Sequence, residues 1–76
     1  MRITIIHDDG VVGVDGVFRP VDLATLPDNI HAVQFDTATT SGHVEHRNPQ
    51  RNRAIDQAAW DMEFAWFVEL WEQAGA

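Results

Sequence analysis

Four histidines are the side chains in this sequence best suited to bind a metal ion or to transfer protons. A metal site needs three or four ligands that converge on one point. His43 and His46 are three residues apart on a predicted strand, so they point to opposite faces. His31 would meet His43 only across a hairpin, and His7 could act only with the two carboxylates that follow it. The spacing therefore predicts no metal site and no cofactor.

Nucleophilic and acid–base residues do not form a catalytic pattern either. The chain has no Cys, and Ser41 lies outside any Gly-x-Ser-x-Gly motif. Paired carboxylates can hydrolyse glycosides, but the candidate aspartates lie at predicted turns, where Asp bonds to the local backbone. They are Asp8, Asp9, Asp15 and Asp22. We predict no catalytic residue and no enzymatic activity. A metal-dependent enzyme would be the exception, and it would require His and Asp to converge in the fold.

A short basic segment contains His46, Arg47, Arg51 and Arg53. It could bind an anion, but such arginines more often pair with nearby carboxylates, and exposed pairs are worth about 0–1 kcal/mol each. The chain as a whole is acidic, with a formal net charge of −7. This charge argues against binding nucleic acid through bulk electrostatics. We therefore predict no nucleic-acid partner.

The most unusual feature is an aromatic-rich segment near the C-terminus whose apolar residues recur with a helical period. No Gly or Pro interrupts it before Gly75, and Asp56 is the preferred N-cap, which predicts a helix over about residues 56–73. Asn52 or Asn48 would cap a helix that started earlier. One apolar stripe consists of Ile55, Ala59, Met62, Trp66 and Leu70. The neighbouring stripe consists of Trp60, Phe64, Phe67 and Trp71.

The two stripes together cover well over half of the helix circumference, roughly twice the apolar arc of an ordinary surface helix. Either the sheet curls around the helix and covers both stripes, or one stripe packs on the sheet and the other contacts a second chain. Trp and Phe are enriched at such contacts. On the second explanation the partner is another protein or a second copy of this chain. The interface candidates are then Trp60, Phe64, Phe67 and Trp71.

The part of the chain before this helix predicts about five short antiparallel strands within residues 2–47. The predicted strands cover residues 2–7, 11–14, 17–21, 31–36 and 42–47. Asp-Gly turns separate the first three into a meander, and Pro20 predicts that the third lies at an edge or ends early. The last two form a hairpin whose buried face carries Val33, Phe35 and Val44, with His46 as a further candidate. Leu23 and Leu26 suit one buried turn, and residues 48–53 suit a linker loop.

Length and composition indicate a single α+β domain over residues 1–76, with a β-meander and hairpin followed by one C-terminal helix packed on the sheet. A chain this short buries only about 60% of its unfolded surface, so it gains from sharing a core. No apolar run reaches the ~20 residues that span a bilayer, and the N-terminal run is too short for a signal peptide. We expect no membrane partner and a cytoplasmic location.

Several short segments distributed along the chain form a recognisable set. They are Ile3-Thr4-Ile5-Ile6, Val14-Asp15-Gly16, Val21-Asp22-Leu23, Leu26-Pro27, Asn29-Ile30-His31-Ala32-Val33-Gln34-Phe35, Gly42-His43-Val44-Glu45 and Trp71-Glu72. Together they resemble a group of small proteins encoded among phage and prophage tail genes, near tail-fibre genes. The likeness spans nearly the whole chain and departs from the family pattern at Phe35, where the family has Trp, and at His46, where it has an aromatic residue.

The resemblance implies a role in the virion or its assembly, in the cytoplasm of the bacterial host or on the particle, and it supplies no catalytic residues. We therefore expect a non-enzymatic tail-region protein that acts by protein–protein contact, as a minor structural or assembly component. The alternative is a small acidic regulatory or inhibitory binding module. Asp61, Glu69 and Glu72 would then supply its negative surface.

Overall fold

The computed structural model describes residues 1–47 and 51–75, in which two helices cover one face of an antiparallel sheet. The strands are β1 (Arg2–Ile6), β2 (Val11–Val14), β3 (Val17–Pro20), β4 (Ile30–Asp36), β5 (Ser41–His46) and β6 (Arg53–Asp56). The helices are α1 (Gln57–Glu63) and α2 (Ala65–Ala74). The strand order in the sheet is β3-β2-β1-β4-β5-β6. The predicted α+β class, with strands first and helical structure last, is confirmed.

Two details differ from the sequence prediction. The predicted loop over residues 48–53 ends in a sixth strand, because Arg53 begins β6, which pairs with β5. Its short length and single buried residue, Ile55, leave little periodicity to detect. Residues 48–50 of that loop, and with them the alternative cap Asn48, lie outside the described residues. The predicted single helix is also interrupted at Phe64, whose φ of −130° leaves the helical region.

The local signals at the turns and at the helix start are confirmed. Asp15 and Gly16 have φ angles of 50° and 85°, which are the two left-handed residues of a type I′ turn. This two-residue loop sets Val14 opposite Val17 and places β3 at the sheet edge, as Pro20 predicted. The Asp56 side chain accepts a hydrogen bond of 2.9 Å from the Ala59 amide, so Asp56 is the N-cap of α1.

The hydrophobic core lies between the sheet and the helices. Alternate residues of the strands point into it, as the period of two requires. The strand contribution includes Ile3, Ile5, Val12, Val14, Val33, Phe35 and Val44. Leu23 and Leu26 are both buried and share one turn, in which the Leu26 amide donates to the Leu23 carbonyl at 3.0 Å. The predicted buried face of the second hairpin is therefore confirmed for Val33, Phe35 and Val44.

Arg19 holds the C-terminal end of α2 against the edge strand β3. Its guanidinium carbon lies 3.7 Å from the centroid of the Trp71 ring, and its Nη1 donates to the Trp71 carbonyl at 2.9 Å. The indole Nε1 of Trp71 in turn donates to the Val17 carbonyl at 2.9 Å. Arg19 therefore stacks on an aromatic ring and satisfies one of the free carbonyls at the helix end.

Replacing Arg19 with alanine is expected to lower the free energy of unfolding by about 1–2 kcal/mol, because the cation–π contact and a hydrogen bond to a helix carbonyl are lost together. Arg19→Lys should recover only part of this, since an ammonium cannot stack flat on the ring as a guanidinium does. Urea denaturation, monitored by circular dichroism, measures the free energy of unfolding of both variants. Equal stability of Arg19→Lys and the native protein would show that charge alone matters at this position.

Candidate functional site

The four interface candidates do not form an exposed surface. Trp60, Phe64 and Phe67 are 3%, 2% and 3% exposed, so they belong to the core of the protein itself. Trp71 is half-buried, with Arg19 over its ring and its Nε1 hydrogen-bonded to the Val17 carbonyl. The assignment of this stripe to a contact surface is therefore corrected, because the chain's own sheet already covers most of it.

Aromatic packing explains why this stripe faces inward. The Trp60 ring stacks on Phe35 with centroids 4.9 Å apart and an interplanar angle of 5°. Phe64 packs beside Trp60 at a centroid distance of 5.9 Å. Of the two explanations that the sequence left open, coverage by the sheet accounts for these residues. The periodicity could not decide this, since both stripes have the same helical spacing.

The other apolar stripe contains the exposed residues. Ile55 lies in β6 and is buried, and Ala59 and Leu70 are half-buried. Met62 is 87% exposed and Trp66 is 52% exposed. These two side chains lie four positions apart, on either side of the break between α1 and α2, and we name them the Met62–Trp66 surface. The sequence placed them in an apolar stripe but did not single them out.

The charged side chains of the helical segment that contains this surface are all carboxylates. From Gln57 to Gly75 the segment carries no Lys, Arg or His. The acidic residues of this segment are Asp61, Glu63, Glu69 and Glu72. Glu63 is paired with Arg53 of β6 by two hydrogen bonds of 2.9 and 3.0 Å. This bidentate contact holds the pKa of the Glu63 carboxyl below its usual range, and Asp61 accepts a bond of 2.9 Å from the Gln57 side chain.

Glu63 gives the stability a defined pH dependence. Because its pKa is lower in the folded protein, its stabilising contribution is full above its ordinary value near 4.5 and is lost as pH falls through the folded-state pKa. Both partners are more than a third exposed, so the effect is about 0.2–1 kcal/mol. Glu63→Gln should reduce stability at pH 7 but not at pH 2.5. Urea denaturation at both pH values measures this, and an equal deficit at pH 2.5 would contradict it.

The predicted pairing of the basic segment with carboxylates is confirmed at Arg47 as well as at Arg53. Arg47 pairs with Asp8, and its Nε donates to the Asp28 carbonyl at 2.7 Å. Asp8 also receives the His31 Nδ1 at 3.2 Å. The Arg47 guanidinium, with a smaller effect of His31, holds the pKa of Asp8 below its ordinary value. This cluster ties the turn after β1 to the ends of β4 and β5.

The histidines do not converge. His31 contacts Asp8, whereas His43 lies opposite Gln34 and its Nε2 is 3.5 Å from Glu45. Within residues 1–47 and 51–75, no group of three or more His, Asp or Glu side chains could hold a metal ion. The notion of His31 facing His43 across the hairpin is therefore wrong, because the register of β4 and β5 sets His43 opposite Gln34, three residues away from His31.

Among the described residues, no helix lies on the second face of the sheet. At one end of it the pairing sets Ile6 beside Val11 and Ala32 in an apolar row. In the next row Phe18, which is 51% exposed, lies over Gly13. The other end holds a shallow depression of about 260 Å³. Its polar lining consists of Arg2, Thr4, Gln34, Asp36, Thr39, Ser41 and His43.

No helix in the described part of the chain is long and apolar enough to cross a membrane.

Searches with this chain against protein-family models, curated proteins and solved structures found no match.

Proposed function

We propose that this chain is a non-enzymatic protein that acts by protein–protein contact, and that the Met62–Trp66 surface makes the contact. One observation carries the proposal: a Trp and a Met of the helical segment lie exposed, four residues apart, although the core takes in three other aromatic residues of the same segment. Trp is the side chain most enriched at binding hot spots, and Met adapts to irregular apolar partners.

The setting of this contact is proposed from the resemblance alone. Small proteins of the phage and prophage tail region would use such a surface as minor structural or assembly components. A regulatory or inhibitory binding module is the alternative, and the cation-free helical segment with its four carboxylates favours it to some degree. The two functions differ in the partner, which is a tail protein for the first and a host enzyme for the second.

The contact surface is tested with a Met62→Ser/Trp66→Ser double variant. Met62 is 87% and Trp66 is 52% exposed, so the variant should lose no more than about 2 kcal/mol of stability and remain folded. It should lose at least about tenfold in affinity for a partner, since a hot-spot residue contributes more than about 1 kcal/mol. The measurement is co-purification from phage-producing cells with the tagged native protein, followed by titration of the purified partner.

Phe18→Thr is the matched control, because Phe18 is as exposed as Trp66 but lies on the other face of the sheet. The proposal requires that this variant retain the partner. If the double variant binds as the native protein does, the Met62–Trp66 surface is not the contact. A captured tail protein supports the structural role, and a captured host enzyme supports the inhibitory module instead.

A further inference from the structure

We propose that the Met62–Trp66 surface recognises an arginine-bearing, positively charged segment of a partner protein. This inference rests on the contact function proposed above and adds the chemistry of the partner. It follows from the position of the carboxylates relative to the exposed indole, from the ion pair that one of them already makes, and from the way in which this protein itself binds a guanidinium.

One carboxylate is a helix neighbour of the Trp66 indole. Glu69 follows Trp66 by three residues within α2, and side chains three apart are neighbours on a helix surface. Glu63 lies before the break at Phe64, so this spacing does not place it beside the indole. Arg53 already neutralises Glu63 through its bidentate contact. Glu69 is exposed and has no ion pair among the described residues. An aromatic face beside a carboxylate that has no cation is therefore presented to the outside.

A guanidinium satisfies both groups at once. It stacks flat on an indole and donates hydrogen bonds from its edge to a carboxylate. The same protein shows the stacking half of this arrangement at the other side of α2, where Arg19 lies 3.7 Å from the Trp71 ring centroid while it donates to a backbone oxygen. Met62, four residues before Trp66 and across the break at Phe64, is 87% exposed and supplies apolar surface for the aliphatic stem of the incoming side chain.

Charge argues against a second copy of this chain as the occupant. In a two-fold dimer through this surface, the same patch of both chains forms the interface, so the carboxylates of one helical segment would meet those of the other. The helical segment supplies no cation to offset them, and the chain carries a formal net charge of −7. A basic partner would not be repelled by these carboxylates, and its cations would pair with them.

The test is a titration of the intact protein with nona-arginine and with nona-lysine at low salt, followed by tryptophan fluorescence. We expect nona-arginine to bind about two- to fivefold more tightly than nona-lysine, as stacking on an exposed ring predicts. Glu69→Gln should weaken nona-arginine binding by about two- to fivefold. Trp66→Phe should abolish the fluorescence change, because the other two tryptophans are buried or held by Arg19.

Glu45→Gln is the matched control, since it removes one carboxylate on the face of the sheet away from the helices. If it weakens binding as much as Glu69→Gln, the peptide senses only bulk charge and the proposal is overturned. Equal affinities for the two peptides overturn it as well. So does light scattering that reveals a dimer dependent on Trp66. If partner capture depends on Trp66 but not on Glu69 or salt, this inference fails while the contact function stands.

Discussion

Trp60→Ala is expected to lower the free energy of unfolding by about 3–5 kcal/mol. The indole is 3% exposed, stacks on Phe35 and packs beside Phe64, so its removal leaves a cavity between the sheet and α1. Proteins of 76 residues have a total stability of about 4–11 kcal/mol. The variant should therefore be partly or wholly unfolded at 37 °C, as thermal denaturation followed by circular dichroism will measure.

Trp66→Ala is the natural comparison for this prediction. It deletes the same side chain from the same helical segment, but at a position that is 52% exposed, so its cost should be about 1–2 kcal/mol, well below that of Trp60→Ala. Trp60→Phe should cost less than Trp60→Ala because it keeps a ring against Phe35. Equal destabilisation by the two alanine variants would mean that the inward and outward stripes have been assigned the wrong way round.

Gly42→Ala is expected to cost about 3 kcal/mol or more, although it adds a single methyl group. A Cβ at this position of β5 would overlap the Gln34 carbonyl oxygen and come within 2.7 Å of the Phe35 Cα, both of which are backbone atoms of β4. Only separation of β4 from β5 relieves this overlap, and it would disturb the Phe35–Trp60 stack. Urea denaturation gives the cost, and amide exchange along β4 shows whether the strands separate.

Gly13→Ala provides the matched control for Gly42→Ala. A Cβ there would come within 2.6 Å of the Phe18 ring, which is a closer contact than a packed interior allows. However, the obstacle is the end of a half-exposed side chain, which can rotate into solvent, so we expect a cost of about 1 kcal/mol or less. If Gly13→Ala is the more harmful of the two, the close approach of β4 and β5 is not what requires glycine at position 42.

The assignment of the aromatic residues bears directly on the proposed function. A short chain has a thin core, and this protein uses Trp60, Phe64 and Phe67 to fill it. A contact surface on the helices therefore has to use the large apolar side chains that are not part of the core, which are Met62 and Trp66. Variants of the buried residues would reduce partner binding through unfolding, so only the exposed pair can separate binding from stability.

Local chemistry could be determined from the sequence by itself. The Asp15-Gly16 turn, the edge position of the strand that contains Pro20, the cap at Asp56 and the buried alternation of Val33 and Phe35 depend on neighbouring residues, and all were predicted. Each follows from backbone conformation or from a side-chain period of two, properties that act within a few positions of the chain. The α+β class follows from the change of period near residue 55.

Only the tertiary structure decided which apolar helix stripe faces the sheet, that Arg53 begins a sixth strand, and that His31 pairs with Asp8. These depend on what lies opposite a residue, and two stripes of equal period and similar hydrophobicity give the chain no local means of choosing. The choice came from packing: a flat indole fits against Phe35 over the centre of the sheet, which left Trp66 outside beside Glu69. Whether an aromatic ring is buried depends on how the sheet and the helices pack together, so no short segment of the sequence determines it.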